Sequence, residues 1–248
     1  MLFRSLPVIK KELEAAKRRK QLSNWFGEMM NMPLNIENSL IAYEDIKWTR
    51  RRSPADQQTY HSFITIDPAI SEKETADEAA VVLHTIDEGG VPQITEYVHY
   101  IGMTPDKMAV EVRQLCQKWN CFVVGVESVQ LQRVLLYYFE LEFFMSGYHG
   151  MDFVPIEVGK SFKTARLVTF AAAIASGEYT LFENDWDFST QMMQFDRRKT
   201  NNKDDLIDAG SMGLYMLKNY QHLIYKSRAQ RLTSRALLAK PVQSSTNI

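Results

Sequence analysis

The chain has 248 residues, 45% of them apolar, which is enough for one large buried core and excludes wholesale disorder. Its 29 basic and 30 acidic residues leave a net charge of −1, which excludes nucleic-acid binding through a general excess of positive charge. The two cysteines, Cys116 and Cys121, fit neither a metal knuckle nor a disulfide framework. We therefore expect both in the core of a protein that works in a reducing compartment.

The spacing of apolar residues in the N-terminal part of the chain changes near residue 30. Residues 8–30 carry apolar side chains at helical spacing among Lys and Glu, which predicts a helical arm. Residues 31–52 mix Pro, Asn and aromatic residues without a period and end in a basic cluster, which is typical of a connector. Residues 1–58 are accordingly interpreted as an arm and linker.

From His61 onward, short apolar runs alternate with helical patterns. Three β-rich runs in succession, the last two joined by a turn at Gly89 and Gly90, predict an antiparallel meander. Strands and helices then alternate, which indicates a mixed α/β sheet flanked by helices, and we assign this domain to residues 59–225. The predicted strands are 62–67, 79–86, 93–101, 122–127, 153–157 and 179–182, and the predicted helices are 104–118, 131–144, 161–176 and 204–220.

Acidic residues stand at the ends of two predicted strands. Asp67 ends the first strand and precedes Pro68, which cannot donate to a sheet ladder and so marks the strand's end. Glu127 ends the apolar run 122–127 in the same way. If these strands are neighbours, the two carboxylates meet and repel each other strongly unless one is protonated or a divalent cation lies between them.

A third acidic group opens the last predicted helix. Asp205 and Asp208 are three residues apart, and Asp204 and Asp208 are four apart, so each pair shares a helical face. Carboxylates without a zinc-like His and Cys set suit Mg²⁺ or Mn²⁺. Because two such ions stabilise the attacking and leaving oxygens of a phosphodiester, the pattern predicts a two-metal phosphodiester hydrolase.

Each acid also has an ordinary structural explanation. Asp67 before Pro68 can start a turn, and Glu127 can belong to the cap region of the next helix. Asp204 and Asp205 can cap the last helix and face the positive end of its dipole. Two acids at strand ends combined with a third on a late helix are much harder to obtain from capping alone, so the combination favours one shared site.

Four short motifs follow one another in a defined order along the chain. Asp-Pro-Ala ends a strand at residues 67–69, Thr-Ala-Asp-Glu-Ala-Ala follows at 75–80, Val-Val-Gly-Val-Glu-Ser stands at 123–128, and Lys-Asp-Asp-Leu-Ile-Asp-Ala stands at 203–209. Over residues 60–220, this series resembles the nuclease domain of the large terminase subunit of tailed bacteriophages, the DNA-packaging motor protein. The resemblance implies an RNase H-like fold of the resolvase and integrase type, and Mg²⁺- or Mn²⁺-dependent endonucleolytic cutting of concatemeric viral double-stranded DNA.

The resemblance also implies roles for the acids. Asp67 would bridge both metal ions, Glu127 would hold one of them, and Asp208 the other. Resolvase-like members place the last two acids three apart, which favours Asp205 over Asp204 as the partner of Asp208. The acids expected to support the site from just outside the metal ligands are Asp77 and Asp204.

Cutting requires the duplex to be held against the acids by cations on its phosphates. Lys163 and Arg166 are three residues apart at the start of a predicted helix and can share one face. A solvated basic surface is the alternative for every basic cluster, and no base-reading motif is present, so we expect weak sequence specificity. The predicted DNA-contact residues are Lys160, Lys163, Arg166, Arg197, Arg198 and Lys203. Residues 226–248 lack acidic side chains and are predicted to form a flexible basic tail that binds DNA or a partner.

The chain departs from full-length large terminases because it lacks their ATP-binding signature GxxxxGK[ST]. Gly159-Lys160-Ser161 has Val154 where the first glycine is required, so we expect no ATPase activity. Residues 20–52 resemble the segment that joins the two terminase domains, which implies that the chain is a fragment. The implied partners are its own ATPase domain, the portal and the small terminase subunit, in the cytoplasm of the infected bacterial host.

Two other functions remain open at this point. The chain could be another RNase H-like nuclease, such as a resolvase or a transposase. It could also be a nuclease-dead domain that docks on DNA or the portal. A membrane is not an expected partner, because the apolar stretches are much shorter than the about 18 residues that a membrane span needs.

Overall fold

The computed structural model describes residues 6–19, 21–29, 38–68, 78–127, 132–157, 163–199 and 202–226. Three features predicted from the sequence lie outside these residues: Asp77, Lys160 and the tail from residue 227. The helices are α1 (Leu6–Arg19), α2 (Leu22–Met29), α3 (Pro105–Trp119), α4 (Gln132–Met145), α5 (Lys163–Ser176), α6 (Trp186–Gln194), α7 (Asp205–Asn219) and α8 (Gln221–Ile224). The strands are β1 (Trp48–Thr49), β2 (His61–Asp67), β3 (Ala79–Ile86), β4 (Pro92–Tyr100), β5 (Val123–Glu127), β6 (Asp152–Ile156) and β7 (Thr180–Phe182).

The strands of the described chain form one mixed sheet in the order β1-β7-β4-β3-β2-β5-β6. β2, β3 and β4 pair antiparallel in succession, so the predicted meander is confirmed. β5 runs parallel to β2, and β6 runs parallel to β5. The fold class predicted from the sequence, a mixed sheet flanked by helices, is confirmed. None of the described helices combines the length and the apolar character required to cross a membrane.

Successive side chains of a strand point to opposite faces, and every residue of β3 is buried, so both faces of the sheet are covered there. On one face, Ile64 and Ile66 of β2 pack in a core with residues of α3 and α4. On the other face, α7 lies against β2 and β3, and Phe63 packs with Met212 and Met216. This placement of α7 brings the last helix next to the strand that ends at Asp67.

The segment interpreted as a connector contributes to the sheet. β1 pairs parallel with β7 at the sheet's edge, and Leu40, Ile41 and Ile46 are buried in the core beneath α5 and α6. A strand of two residues carries no periodic signal, which is why the sequence did not reveal it. The exact limits of the domain stay a prediction.

Gly210 lies where α7 touches the buried ring of Phe188 in α6, and a Cβ there would be 2.5 Å from the ring's Cζ. We expect Gly210→Ala to lower the free energy of unfolding by about 2 kcal/mol, because the rigid ring cannot yield. Gly125→Ala is the matched comparison, since its Cβ would meet the rotatable ends of Met216 and Ile156 at 2.5 and 2.6 Å. Urea titrations should show the smaller loss for Gly125→Ala, and the reverse order would contradict this reasoning.

Candidate active site

Asp67 and Glu127 end two neighbouring parallel strands. The residues before them, Ile66 and Val126, are partners across β2 and β5, so both carboxyl groups lie at the same edge of the sheet. A hydrogen bond joins the two side chains. The sequence predicted that the two carboxylates meet if their strands are neighbours. The strands are neighbours, so this prediction is confirmed.

The environment of this pair disfavours two negative charges. Burial, followed by the charges of Glu127 and Asp208, raises the pKa of Asp67 well above its ordinary value. Burial, followed by the charge of Asp208, also raises the pKa of Glu127. Two charged carboxylates so close together in a buried place repel each other strongly. A divalent cation between the two carboxylates would relieve this repulsion, because it would neutralise both at once.

The first turn of α7 adds Asp208 to the pair. This residue is only 4% exposed, and its charge raises the pKa of both Asp67 and Glu127. Among the described residues, no three His, Cys, Asp or Glu side chains are already arranged to hold a metal ion. The acids converge, but the carboxylate of Asp208 has other partners.

Two cations on α5 bind Asp208. The Nζ of Lys163 lies 3.0 Å from Oδ2 of Asp208 and 3.0 Å from Oδ1 of Asp204. Arg166 donates through Nη2 to Oδ1 of Asp208 and through Nε to the Oγ of Ser211 at 2.9 Å. Burial alone would lower the pKa of Lys163, but the charges of Asp208 and Asp204 raise it above its ordinary value. A metal ion that uses Asp208 must therefore share it with these cations or displace one.

Asp204 and Asp205 occupy different environments at the start of α7. Asp204 is buried at the N-cap position but makes no side-chain cap hydrogen bond, and its carboxylate binds Lys163 instead. Burial raises the pKa of Asp204, whereas Lys163 lowers it. Asp205 is half-buried at the first helical position. The preference for Asp205 as a ligand beside Asp208 stays a prediction.

The other predicted DNA-contact residues lie in the segment between α6 and α7. Arg197 and Arg198 are exposed, and Arg197 donates to the carbonyl of Leu40 at 3.4 Å. Lys203 forms an ion pair with Glu78 at 2.6 Å, just before β3. Their contact with DNA stays a prediction.

Some residues that position the acids carried no recognisable signal in the sequence. Gln191 of α6 accepts hydrogen bonds through Oε1 from the backbone N–H groups of Leu206 and Ile207, at 3.2 and 3.3 Å. It thus caps α7 from another helix. Ser211 accepts from Arg166 and donates to the carbonyl of Asp208 at 2.7 Å. Glu78, the partner of Lys203, stands directly after Asp77. This position beside another acid was the only sign of Glu78 in the sequence.

A mixed sheet that starts with an antiparallel meander, with carboxylates at adjacent strand ends and on a late helix, defines an RNase H-like domain. The family model described as the Terminase RNaseH-like domain matches residues 64–217, and the chain belongs to this family. Among curated protein sequences, none matches the chain.

Solved structures with the same fold include terminase nucleases from phages and from human cytomegalovirus. The P22 large terminase nuclease domain is 14% identical, with a TM-score of 0.52 over 75% of this chain and 95% of that chain. The human cytomegalovirus terminase nuclease domain, Mn-soaked and inhibitor-bound, is 13% identical, with a TM-score of 0.52 over 71% and 94%. The large terminase nuclease of thermophilic phage G20c with bound cobalt is 13% identical, with a TM-score of 0.50 over 71% and 95%.

Proposed function

We propose that this chain is a metal-dependent endodeoxyribonuclease that cuts concatemeric viral double-stranded DNA during genome packaging in the infected bacterial host's cytoplasm. The observation that carries the proposal is the convergence of Asp67, Glu127 and Asp208 from three distant parts of the sequence. A structural role alone does not account for it, because the repulsion among buried carboxylates destabilises the folded state. Such a cost is typical of an active site.

The donor set fits divalent cations that prefer oxygen ligands. Carboxylate oxygens suit Mg²⁺ or Mn²⁺, and the burial and mutual repulsion that raise the pKa values of Asp67 and Glu127 favour a positive charge between them. Asp67 would bridge two ions, Glu127 would hold one, and Asp208 with Asp205 would hold the other. Two bound ions would stabilise the attacking and leaving oxygens of the phosphodiester. The fold neighbours prepared with manganese and with cobalt support a metal-dependent reaction.

The cations of α5 would orient the substrate. Lys163 and Arg166 lie beside the carboxylates with N–H groups of the type that bind phosphate oxygens, and they offset the negative charge that would repel DNA. The remaining partners proposed for the whole protein are the portal, the small terminase subunit and its own ATPase domain.

Incubation with supercoiled plasmid tests the proposal. With Mn²⁺ or Mg²⁺ we expect nicked and linear products, and EDTA should abolish them until excess metal is restored. DNA binding by a folded protein without any cutting would instead support a docking domain. Preferential cutting of four-way junctions by a stable dimer would support a resolvase.

A further inference from the structure

A continuous chain of polar groups lies buried between the sheet and α7. The Tyr179 hydroxyl is hydrogen-bonded to Nδ1 of His84, and Nε2 of His84 lies 2.6 Å from Oγ1 of Thr65. Thr65 in turn donates to the backbone carbonyl of Ala209 at 2.7 Å. All four residues have no exposed surface. Each therefore depends on the others for its hydrogen bonds.

The chemistry of these groups fixes the direction of every hydrogen bond. The single hydroxyl proton of Thr65 goes to the Ala209 carbonyl, which can only accept, so Oγ1 accepts from Nε2–H of His84. A neutral imidazole has one N–H, so Nδ1 accepts the hydroxyl proton of Tyr179. Burial lowers the pKa of His84 to about 3, which keeps the ring neutral. The hydrogen-bond chain is thus complete from Tyr179 to Ala209, and every donor in it has an acceptor.

This hydrogen-bond chain connects the two parts of the candidate active site. Thr65 stands two residues before Asp67, so both side chains lie on the same face of β2. Ala209 directly follows Asp208 in α7. One turn further, a Cβ on Gly213 would lie 2.6 Å from the Tyr179 oxygen and 2.9 Å from Cε1 of His84. The close approach of α7 to the sheet thus coincides with the hydrogen-bond chain.

We propose that Thr65, His84 and Tyr179 are positioning residues that set the distance between Asp67 and Asp208 for metal binding. The inference rests on the proposed function, since it concerns the same carboxylates. A site that holds a divalent cation tolerates displacement of its ligands by only about 0.5 Å. A direct hydrogen bond from the Asp67 strand to the backbone beside Asp208 supplies such a constraint.

Manganese binding to the whole chain tests the role of Thr65. Thr65→Val keeps the side-chain shape but removes the hydroxyl, whereas Thr65→Ser retains it. In a titration that follows free Mn²⁺ by electron paramagnetic resonance, we expect about tenfold weaker binding by Thr65→Val, within the range for groups that orient metal ligands. Thr65→Ser should restore the wild-type affinity. The kcat for plasmid cleavage should fall in Thr65→Val while KM stays unchanged, because the cations of α5 are untouched.

Thr95→Val is the matched control. Thr95 is also fully buried in the sheet, and its hydroxyl lies 2.6 Å from that of Thr85. This variant should lose stability as Thr65→Val does but keep its Mn²⁺ affinity. If Thr65→Val does not fold, Tyr179→Phe is the alternative variant, because it removes the hydroxyl at the far end of the hydrogen-bond chain. We expect it to weaken Mn²⁺ binding to a smaller extent.

The outcomes separate this inference from the proposed function. Wild-type affinity in a folded Thr65→Val variant, or in Tyr179→Phe where Thr65→Val does not fold, overturns the inference alone. An equal loss of affinity in Thr95→Val also overturns it alone. A wild-type chain that neither binds Mn²⁺ nor cuts DNA overturns both proposals.

Discussion

Replacing Asp67 with asparagine is expected to abolish cleavage and to stabilise the fold at the same time. Asparagine cannot bridge two metal ions, so the cleavage rate should fall by on the order of a thousandfold or more. The same change removes a carboxyl group whose pKa is raised by burial and then by the charges of Glu127 and Asp208, so the free energy of unfolding at pH 8 should rise by about 1 kcal/mol. Opposite effects on activity and stability are typical of a residue held in place for function.

Asp185→Asn is the control for this experiment. Asp185 is also a buried carboxyl group, and burial raises its pKa to about 6. Its partners are the hydroxyl of Tyr97 and the backbone N–H of Phe188, and neither belongs to the group formed by Asp67, Glu127 and Asp208. This variant should retain cleavage. A wild-type cleavage rate in Asp67→Asn would remove Asp67 from the mechanism.

Arg166→Met should have the second largest effect, this time on stability. It removes one of the cations that neutralise Asp208, whose side chain is 5% exposed. Lys163 alone then compensates the buried charge of Asp208, and losing one partner of a buried ion pair is strongly unfavourable, so we expect a loss of about 3 kcal/mol in the free energy of unfolding. Adding Asp208→Asn should restore most of that loss, because the buried charge that Arg166 neutralised is then removed as well. Denaturant titrations of the single and double variants measure both effects.

The control for Arg166→Met is another ion pair between an arginine and a carboxylate, at a more exposed place. The Nε of Arg113 lies 2.7 Å from Oε1 of Glu142, and the two side chains are 22% and 31% exposed. Arg113→Met should cost no more than about 1 kcal/mol, because water and salt screen such a pair. Equal losses for the two arginines, or a double variant as unstable as Arg166→Met, would contradict the role given to Asp208.

The sequence was sufficient to predict that two carboxyl groups lie at one edge of the sheet, because the signals there are local. β2 and β5 are apolar runs that stop at Asp67 and Glu127, and a strand that ends in an acid is visible without any knowledge of its neighbours. The predicted strands and helices from β2 onward are present, with ends within two residues wherever those ends are described.

The contacts that organise the site were not predictable, because they join residues far apart in the chain. Arg166 was predicted to bind phosphate, and its pairing with Asp208 depends on how α5 packs against α7. Gln191 caps α7 from α6, a short helix that the sequence did not indicate. Thr65 and His84 stand within strands where β-branched and aromatic residues are ordinary, so their hydrogen bonds left no pattern.

Diffraction from manganese-soaked crystals can test whether Asp67, Glu127 and Asp208 hold the catalytic metal, as we propose. We expect an anomalous difference peak in contact with the carboxylates of Asp67 and Glu127, and its loss in crystals of Asp67→Asn. Manganese bound elsewhere, with none at this edge of the sheet in a protein that cuts DNA, would contradict it.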